Sequence, residues 1–324
     1  MLGPLGHLAS MLAFLARRDG RRRADASAAE DLAWGRAPRS GDLPPGLTLR
    51  WLGTAGFTLS YEGHDLVIDP YLTRISLGDL LRRRVVAPAA ALAEAWVPRA
   101  DAVLIGHTHF DHALDAPAIA RRTGCKVYGS PSLASLMALH GLAPQAVVVE
   151  PYRTYEIGPF EVTFVPSLHS RLAAGLYVPY QGDISCEHLD DMVPQAYRCG
   201  QVWGLHVKVA GVSFYHQGSA NLVDDAIRHR GVDYFLCGIS GRRYTRRYLD
   251  RILARLEPRV VVPMHYDDFF TPLTAPMAFS FNVNFAGFAD EVGRVSRDFD
   301  VRALAIGEAV GAAPAGGAST RELG

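Results

Sequence analysis

The chain has 324 residues, 49% of them hydrophobic and 20% charged, enough apolar material for a sizeable core and too much for an intrinsically disordered chain. Its 33 basic and 33 acidic residues cancel, which speaks against a general nucleic-acid binder. No stretch approaches the roughly 18 apolar residues of a membrane-spanning helix.

Near the start, Leu2, Leu5, Leu8, Met11, Leu12 and Leu15 recur at helical spacing, and Arg17, Arg18, Arg21, Arg22 and Arg23 follow. A secretory signal carries its positive charge first; here it comes last. Residues 1–23 therefore read as a surface helix packed on the body, with a helix lying on a membrane surface and, last, a cleaved signal as the alternatives. Residues 17–46, rich in Arg, Ala and Asp with Pro38, Pro44 and Pro45, read as an irregular lead-in, so that 1–46 forms an N-terminal extension. At Leu47 the character changes. Strands are expected at 47–52, 57–61 and 66–68, the last two joined by a tight hairpin at Gly63-His64. Ala102 to Ile105 is wholly apolar, as expected of a strand covered on both faces.

A strand–helix rhythm follows: helix 114–123, strand 126–129, helix 131–140, then strands at 146–150, 160–165, 203–209 and 212–215. Helices at 222–230, 244–256 and 285–296 each lead to a strand, at 234–236, 260–263 and 301–306. The simplest arrangement is two sheets packed face to face with helices outside, one domain over 47–310. The Ala/Gly/Pro-rich tail 311–324 reads as disordered. Cys125, Cys186, Cys199 and Cys237 form no CxxC pair, which fits free thiols in a reducing, cytoplasmic setting. In an exported protein Cys186 and Cys199 are the pair that would bridge.

The chemistry sits in Gly106-His107-Thr-His109-Phe-Asp111-His112, directly after the apolar strand. In an extended segment residues two apart face the same way, so His107, His109 and Asp111 can converge while His112 serves a second point. Three imidazoles and a carboxylate in so short a run form a transition-metal ligand set, most naturally for zinc. A site at a strand end takes further ligands from other strand ends. His169, after strand 160–165, and His265, after Val260-Val-Val-Pro-Met264, are those ligands. His216 also ends a strand, and reads as a core residue or as a support behind the ligands.

Together with Trp51-Leu-Gly-Thr-Ala-Gly56 and Val67-Ile-Asp-Pro70, these motifs resemble the metallo-β-lactamase-fold hydrolases. Within them the chain is similar to the branch holding L-ascorbate-6-phosphate lactonase and the N-acylphosphatidylethanolamine-hydrolysing phospholipase D. The resemblance implies an α/β fold, an αββα four-layer sandwich. It also implies a first metal on His107, His109 and His169 and a second on Asp111, His112 and His265. The family places a bridging Asp in a Gly-Asp-Thr turn; here the turn is Gln217-Gly218-Ser219-Ala220, and Ser219 stands where the carboxylate is expected. A neutral hydroxyl compensates two adjacent dications poorly, so one or two Zn2+ per chain are expected, the second weakly held unless Asp183, Asp224 or Asp225 substitutes. Asp69 reads as a carboxylate that orients a ligand imidazole, or as a strand-end cap.

The implied activity is hydrolysis of a phosphodiester or a lactone/ester by metal-activated hydroxide, with Asp111 orienting the attacking species and accepting its proton. Nothing marks a covalent nucleophile. The insert 179–200 follows a ligand-bearing strand, which makes Tyr177, Tyr180 and His188 candidates for substrate contact, along with Arg242 or Arg243 as a fork for phosphate or carboxylate. The expected partner is a small-molecule or lipid-like substrate, with no nucleic acid. Two alternatives stand beside this reading: a membrane-peripheral, phospholipase D-like hydrolase, and a catalytically weak metal-binding protein marked by Ser219.

Overall fold

A computed structural model describes residues 18–36, 42–171, 176–281 and 283–311. The chain builds two seven-stranded sheets. The first takes β1 (Thr48–Gly53), β2 (Gly56–Tyr61), β3 (His64–Ile68), β4 (Ala102–Leu104), β5 (Lys126–Gly129) and β6 (Ala146–Val148) in sequence order. The second takes β7 (Thr154–Ile157), β8 (Phe160–Ser167), β9 (Val202–Val209), β10 (Val212–Gln217), β11 (Tyr234–Gly238), β12 (Val260–Met264) and β13 (Asp300–Val301). The chain then returns to the first sheet, where β14 (Ala309–Val310) pairs antiparallel with β1.

Alternation within the strands explains the layering. In β4, Ala102 and Leu104 face the core between the sheets, while Val103, with Ile105 just after the strand, joins a second cluster. That second cluster includes Ala93, Ile119, Leu133 and Leu136 from helices outside the first sheet. A strand buried on both sides has no polar face to show, which is why it reads as an unbroken apolar run. The central core receives Leu49, Trp51 and Phe57 from one sheet and Phe164, Leu205 and Phe214 from the other. The architecture is the expected α/β sandwich of the metallo-β-lactamase type. The hairpin between β2 and β3 turns on Glu62 and Gly63, with His64 already paired to Tyr61. Both turn residues have positive φ, as a two-residue turn matched to strand twist requires.

Several elements differ from the sequence expectation. The lead-in is not irregular: Arg18–Asp31 is a helix, followed by a 3-10 turn at Trp34–Arg36. Its Arg- and Ala-rich composition favours helix but lacks the apolar stripe that would announce one. Tertiary contacts hold it instead. Asp25, buried, accepts a hydrogen bond from the Ala286 amide at the start of helix Ala286–Val295. Trp34 is 6% exposed within the central core and stacks near Tyr234. Trp34→Ala is therefore expected to cost about 3–5 kcal/mol in chemical denaturation, with metal content per folded chain unchanged; an unshifted midpoint would show that this segment is not part of the folded unit.

Elsewhere, the helix expected at 222–230 is only a 3-10 turn, Asp224–Ala226. The next helix starts late, at Tyr248, because Arg242–Tyr244 form a 3-10 turn and Arg247 takes a left-handed conformation (φ 50°). The strand expected at 301–306 shrinks to Asp300–Val301, because Ala303 donates instead to Leu32 of the N-terminal segment. The leucine-rich start and the tail beyond Gly311 lie outside the described residues. Among the described residues no helix is long and apolar enough to cross a membrane, and Cys186 and Cys199 are free thiols.

Candidate metal centre

The motif loop leaves β4 under tight constraint. The Gly106 amide donates to Asp69 Oδ1 at 2.6 Å, and a Cβ at Gly106 would sit 3.0 Å from the other carboxylate oxygen. The Gly106 carbonyl accepts from the Trp203 amide of β9, so both sheets grip the loop. The extended stretch ends at His109, and Phe110–Ala113 form a helical turn. This changes one expectation drawn from spacing. Asp111 does not converge with His107 and His109, because two-residue alternation stops where the helix begins.

Two groups of three result. His107, His109 and His169 form one; Asp111, His112 and His265 form the other, and within each group the ligand-type atoms lie within 4.8 Å of one another. The rings of His107 and His112 are 3.8 Å apart between centroids, so the two groups adjoin. Each of three rings is anchored through one nitrogen to an acceptor that carries no proton. His109 Nε2 faces the Pro179 carbonyl at 3.0 Å, His169 Nδ1 faces the Ser170 carbonyl at 2.6 Å, and His112 Nδ1 faces Asp69 Oδ2 at 2.8 Å. The acceptor fixes the tautomer and leaves the opposite nitrogen with its lone pair free. His109 Nδ1 points to His107 Nε2 at 3.1 Å, and His265 Nε2 lies 3.2 Å from Asp111 Oδ2. Five imidazoles and one carboxylate arranged this way fit a pair of transition-metal ions by donor chemistry.

Electrostatics agree with that fit. Burial, reinforced by the neighbouring imidazoles, holds His107 well below the usual histidine range. Burial likewise lowers His169 well below it and brings His109 down to about 4. These rings are neutral at pH 7, the form that ligates metal. Burial pushes the Asp111 carboxyl up, but His112 and His265 outweigh it and hold the group below the carboxylate range. For His112 burial pulls down, and Asp69 with Asp111 more than offsets it.

Backbone strain collects here as well. Thr54, Asp69, Arg74 and His265 all have positive φ, between 41° and 61°, at about 1–3 kcal/mol each. His265 is held in place by its amide donating to the Thr54 carbonyl at 2.8 Å. Thr54 in turn is held by Asp267, whose carboxylate accepts from its amide. Asp267 forms an ion pair with Arg74 at 2.8 Å, both side chains being 1% exposed. That pair escaped the sequence reading, because three distant segments meet in it.

The remaining candidates separate. Asp69, fully buried, touches His112 as described, and His216 Nε2 lies 4.0 Å behind it while bonded to the Ala55 carbonyl. Ser219 lines the metal cleft, its Oγ accepting from the Ser170 amide at 2.9 Å. Tyr177 and Tyr180 line it too. His188 does not; it is exposed at the start of a 3-10 turn elsewhere on the insert. None of the acidic residues considered as substitutes for the bridge reaches the cleft: Asp224 pairs with Arg251, Asp225 with Arg255, and Asp183 is exposed. Arg242 is spent on Glu291, and with Arg243 it lines a different cavity.

The cleft itself, about 300 Å3, is walled by Leu77, Leu80, Phe110, Phe269, Phe270 and Phe281. None of these was singled out from sequence; the signal available was Phe269-Phe270, an aromatic pair that begins five residues past the end of β12.

The beta-lactamase superfamily domain matches residues 48–265. A UPF0173 metal-dependent hydrolase of Anaeromyxobacter sp. (strain K) is 30% identical over 231 residues, covering 68% of this chain and 74% of its own length. One from Pelotomaculum thermopropionicum is 30% identical over 227 residues, covering 68% and 85%. Among solved structures, CmlA, a diiron beta-hydroxylase from Streptomyces venezuelae, superposes with a TM-score of 0.53 at 16% identity, over 83% of this chain and 54% of CmlA; that likeness concerns the fold alone. The chain belongs to the UPF0173 metal-dependent hydrolase family, within the beta-lactamase superfamily, and is a metal-dependent hydrolase.

Proposed function

We propose that the chain is a zinc hydrolase that cleaves the ester or phosphodiester bond of a small substrate carrying an apolar group, in line with the lactonase and phospholipase D branch. The observation that carries this reading is a pair of adjoining three-residue groups, five of whose six residues line an apolar cleft. His107, His109 and His169 would hold one ion, and Asp111, His112 and His265 the other. When bound, zinc supplies a water acidic enough to ionise near neutral pH and polarises the electrophile. The protein supplies the rest. Asp111 has one oxygen turned to His265 and a second with which to orient an attacking water and accept its proton. The carbonyls of Pro179 and Ser170, with Asp69, lock three ligand rings before substrate arrives. The phenylalanine walls exclude solvent and so strengthen every charge interaction inside.

The test is metal content together with turnover of bis(p-nitrophenyl) phosphate, a p-nitrophenyl acyl ester and an aryl-substituted lactone. Zinc-dependent turnover of one of them supports the reading; a metal-loaded protein inert to all three would favour the metal-binding alternative. A membrane-peripheral role draws on Leu77, Tyr177 and Phe281, which are 48%, 56% and 46% exposed at the cleft mouth; sedimentation with anionic liposomes checks it.

Ser219 bears on stoichiometry. A carboxylate at that position would put a negative charge in a site shielded from water, where it counts most. Ser219→Asp is expected to raise zinc per chain towards two after dialysis against a mild chelator. If the native protein already retains two with no gain in the variant, another group supplies the bridge.

A further inference from the structure

Apart from its candidate metal ligands, the cleft is nearly without charge. His109, Asp111, His112, His169 and His265 line it as ligands. Among the described residues no arginine or lysine lines it. Two arginines of neighbouring segments stay out of it. Arg74 is buried on Asp267, and Arg83, whose charge Tyr180 feels, is exposed and outside the lining. One further acid does line the cleft: Asp268, half-buried and three residues past His265. Its Oδ1 accepts from the Phe270 amide at 3.2 Å, and among the described residues no cation pairs with it. The remaining wall is the phenylalanines and leucines already named, with the hydroxyls of Ser170, Ser219, Ser240 and Ser280. A group that enters this space loses its water. For an anion that loss is repaid only by a cation or by several donors, and here the wall offers rings, methyl groups and a second negative charge. Like charges brought together in a space shielded from water repel strongly. An apolar group gains instead from every methylene it buries.

We propose that the substrate is uncharged and apolar outside its scissile bond, and that Asp268 is the residue that turns anionic substrates away. This rests on the hydrolase reading above and narrows it. The metals answer for charge on the reacting group alone, so an ester, a lactone or a diester whose remaining part is hydrocarbon or aryl qualifies. A lactone or ester that carries a phosphate or a carboxylate elsewhere does not. The lactone chemistry of the branch that the sequence resembles is kept, and the sugar-acid phosphate of an L-ascorbate-6-phosphate lactonase is excluded.

Three hydroxamates test this, because a hydroxamate anchors on zinc and leaves its tail to the cleft. Octanohydroxamic acid, suberic acid monohydroxamate and the ω-amino derivative of octanohydroxamic acid share one chain length and end in a methyl, a carboxylate and an ammonium group. Each is titrated calorimetrically into the zinc-loaded full chain and into Asp268→Asn. Each affinity is divided by that of acetohydroxamic acid in the same protein, which cancels any change at the metals. Asparagine keeps an acceptor for the Phe270 amide, so the loop retains its turn. The methyl end is expected to bind about tenfold or more tighter than the carboxylate end, and Asp268→Asn to narrow that gap by about threefold or more. Equal binding of the methyl and carboxylate ends would overturn the proposal. So would a gap that Asp268→Asn leaves unchanged, tightest binding of the ammonium end, which would make Asp268 a receptor for cations, or no binding of any hydroxamate. Turnover of the three esters named above judges the hydrolase reading separately. A chain that prefers the methyl end and turns nothing over refutes that reading while the preference of the cleft stands; one that hydrolyses an ester and binds all three ends alike does the reverse.

Discussion

His109→Ala is expected to lose the first metal and lower turnover by more than about a hundredfold. Removing an outer hydrogen-bond partner of a ligand costs 10–100-fold in metal affinity or activity, and His109 is itself one of the three imidazoles that would hold the ion. Its ring is buried, neutral and aimed by the Pro179 carbonyl, so no neighbouring side chain can swing in to replace it. The loss should appear as reduced zinc by elemental analysis, with the cooperative unfolding transition retained, since the two sheets do not depend on that ring for their packing. Unchanged metal and unchanged rate would refute the assignment of the whole first group. Asp69→Asn should produce a milder version, because an amide has one acceptor oxygen where the carboxylate accepts from both the Gly106 amide and the His112 ring, and it no longer carries the charge that favours that ring.

Breaking the Arg74–Asp267 pair is the second large effect. Both side chains are 1% exposed, and leaving one charge of a buried pair without its partner costs about 3–5 kcal/mol. Arg74→Leu strands Asp267, although the Thr54 amide still donates to it. Asp267→Leu strands a guanidinium whose approach to the carboxylate is an ion pair by distance but not a well-aligned hydrogen bond, and which otherwise lies over the Tyr71 ring at 5.3 Å. Because the pair is imperfectly satisfied, the double variant should recover much of the loss seen in either single one, as hydrophobic replacement of buried pairs commonly does. Denaturant unfolding of all four proteins checks it. Strict additivity would mean that the two residues do not act as a pair. Asp267 also steadies Thr54, which holds the His265 amide, so weaker zinc retention in Asp267→Leu is expected alongside the stability change.

How much was readable in advance follows from the range over which each feature is encoded. The run from His107 to His112 is local, and its residue types admit few readings, so the ligand set was legible before any fold. His169 and His265 were legible because each follows an apolar strand, and strand ends in such sandwiches gather on one rim. The layered fold was legible from strands whose apolar content showed how many faces were covered, β4 above all. The short-range detail failed where local pattern was overruled. Residues 18–31 carry helix-favouring composition without an apolar stripe, and it is the buried Asp25 and Trp34, not periodicity, that fasten the segment to the body. Asp224 and Asp225 sat in a plausible helix, yet Arg251 and Arg255 claim them and the segment stays a turn.

The sequence, with the resemblance its motifs carry, pointed to the chemistry: metal binding, six candidate ligands, and Ser219 where the resemblance places a carboxylate. The resemblance already implied how the candidate ligands divide, against the spacing that would have let Asp111 converge with His107; the tertiary structure supplies the physical reason, since the helix beginning at Phe110 turns Asp111 away from His107 and towards His265. Only the tertiary structure brought Leu77, Phe110, Phe269 and Phe281 into one apolar wall and sent Arg242 and Arg243 to another cavity. The physical reason is the same in each case. Ligand identity is a property of residue type and is written locally, whereas the shape and charge of a cleft come from side chains far apart in the chain, and those are neighbours only after the sheets have packed.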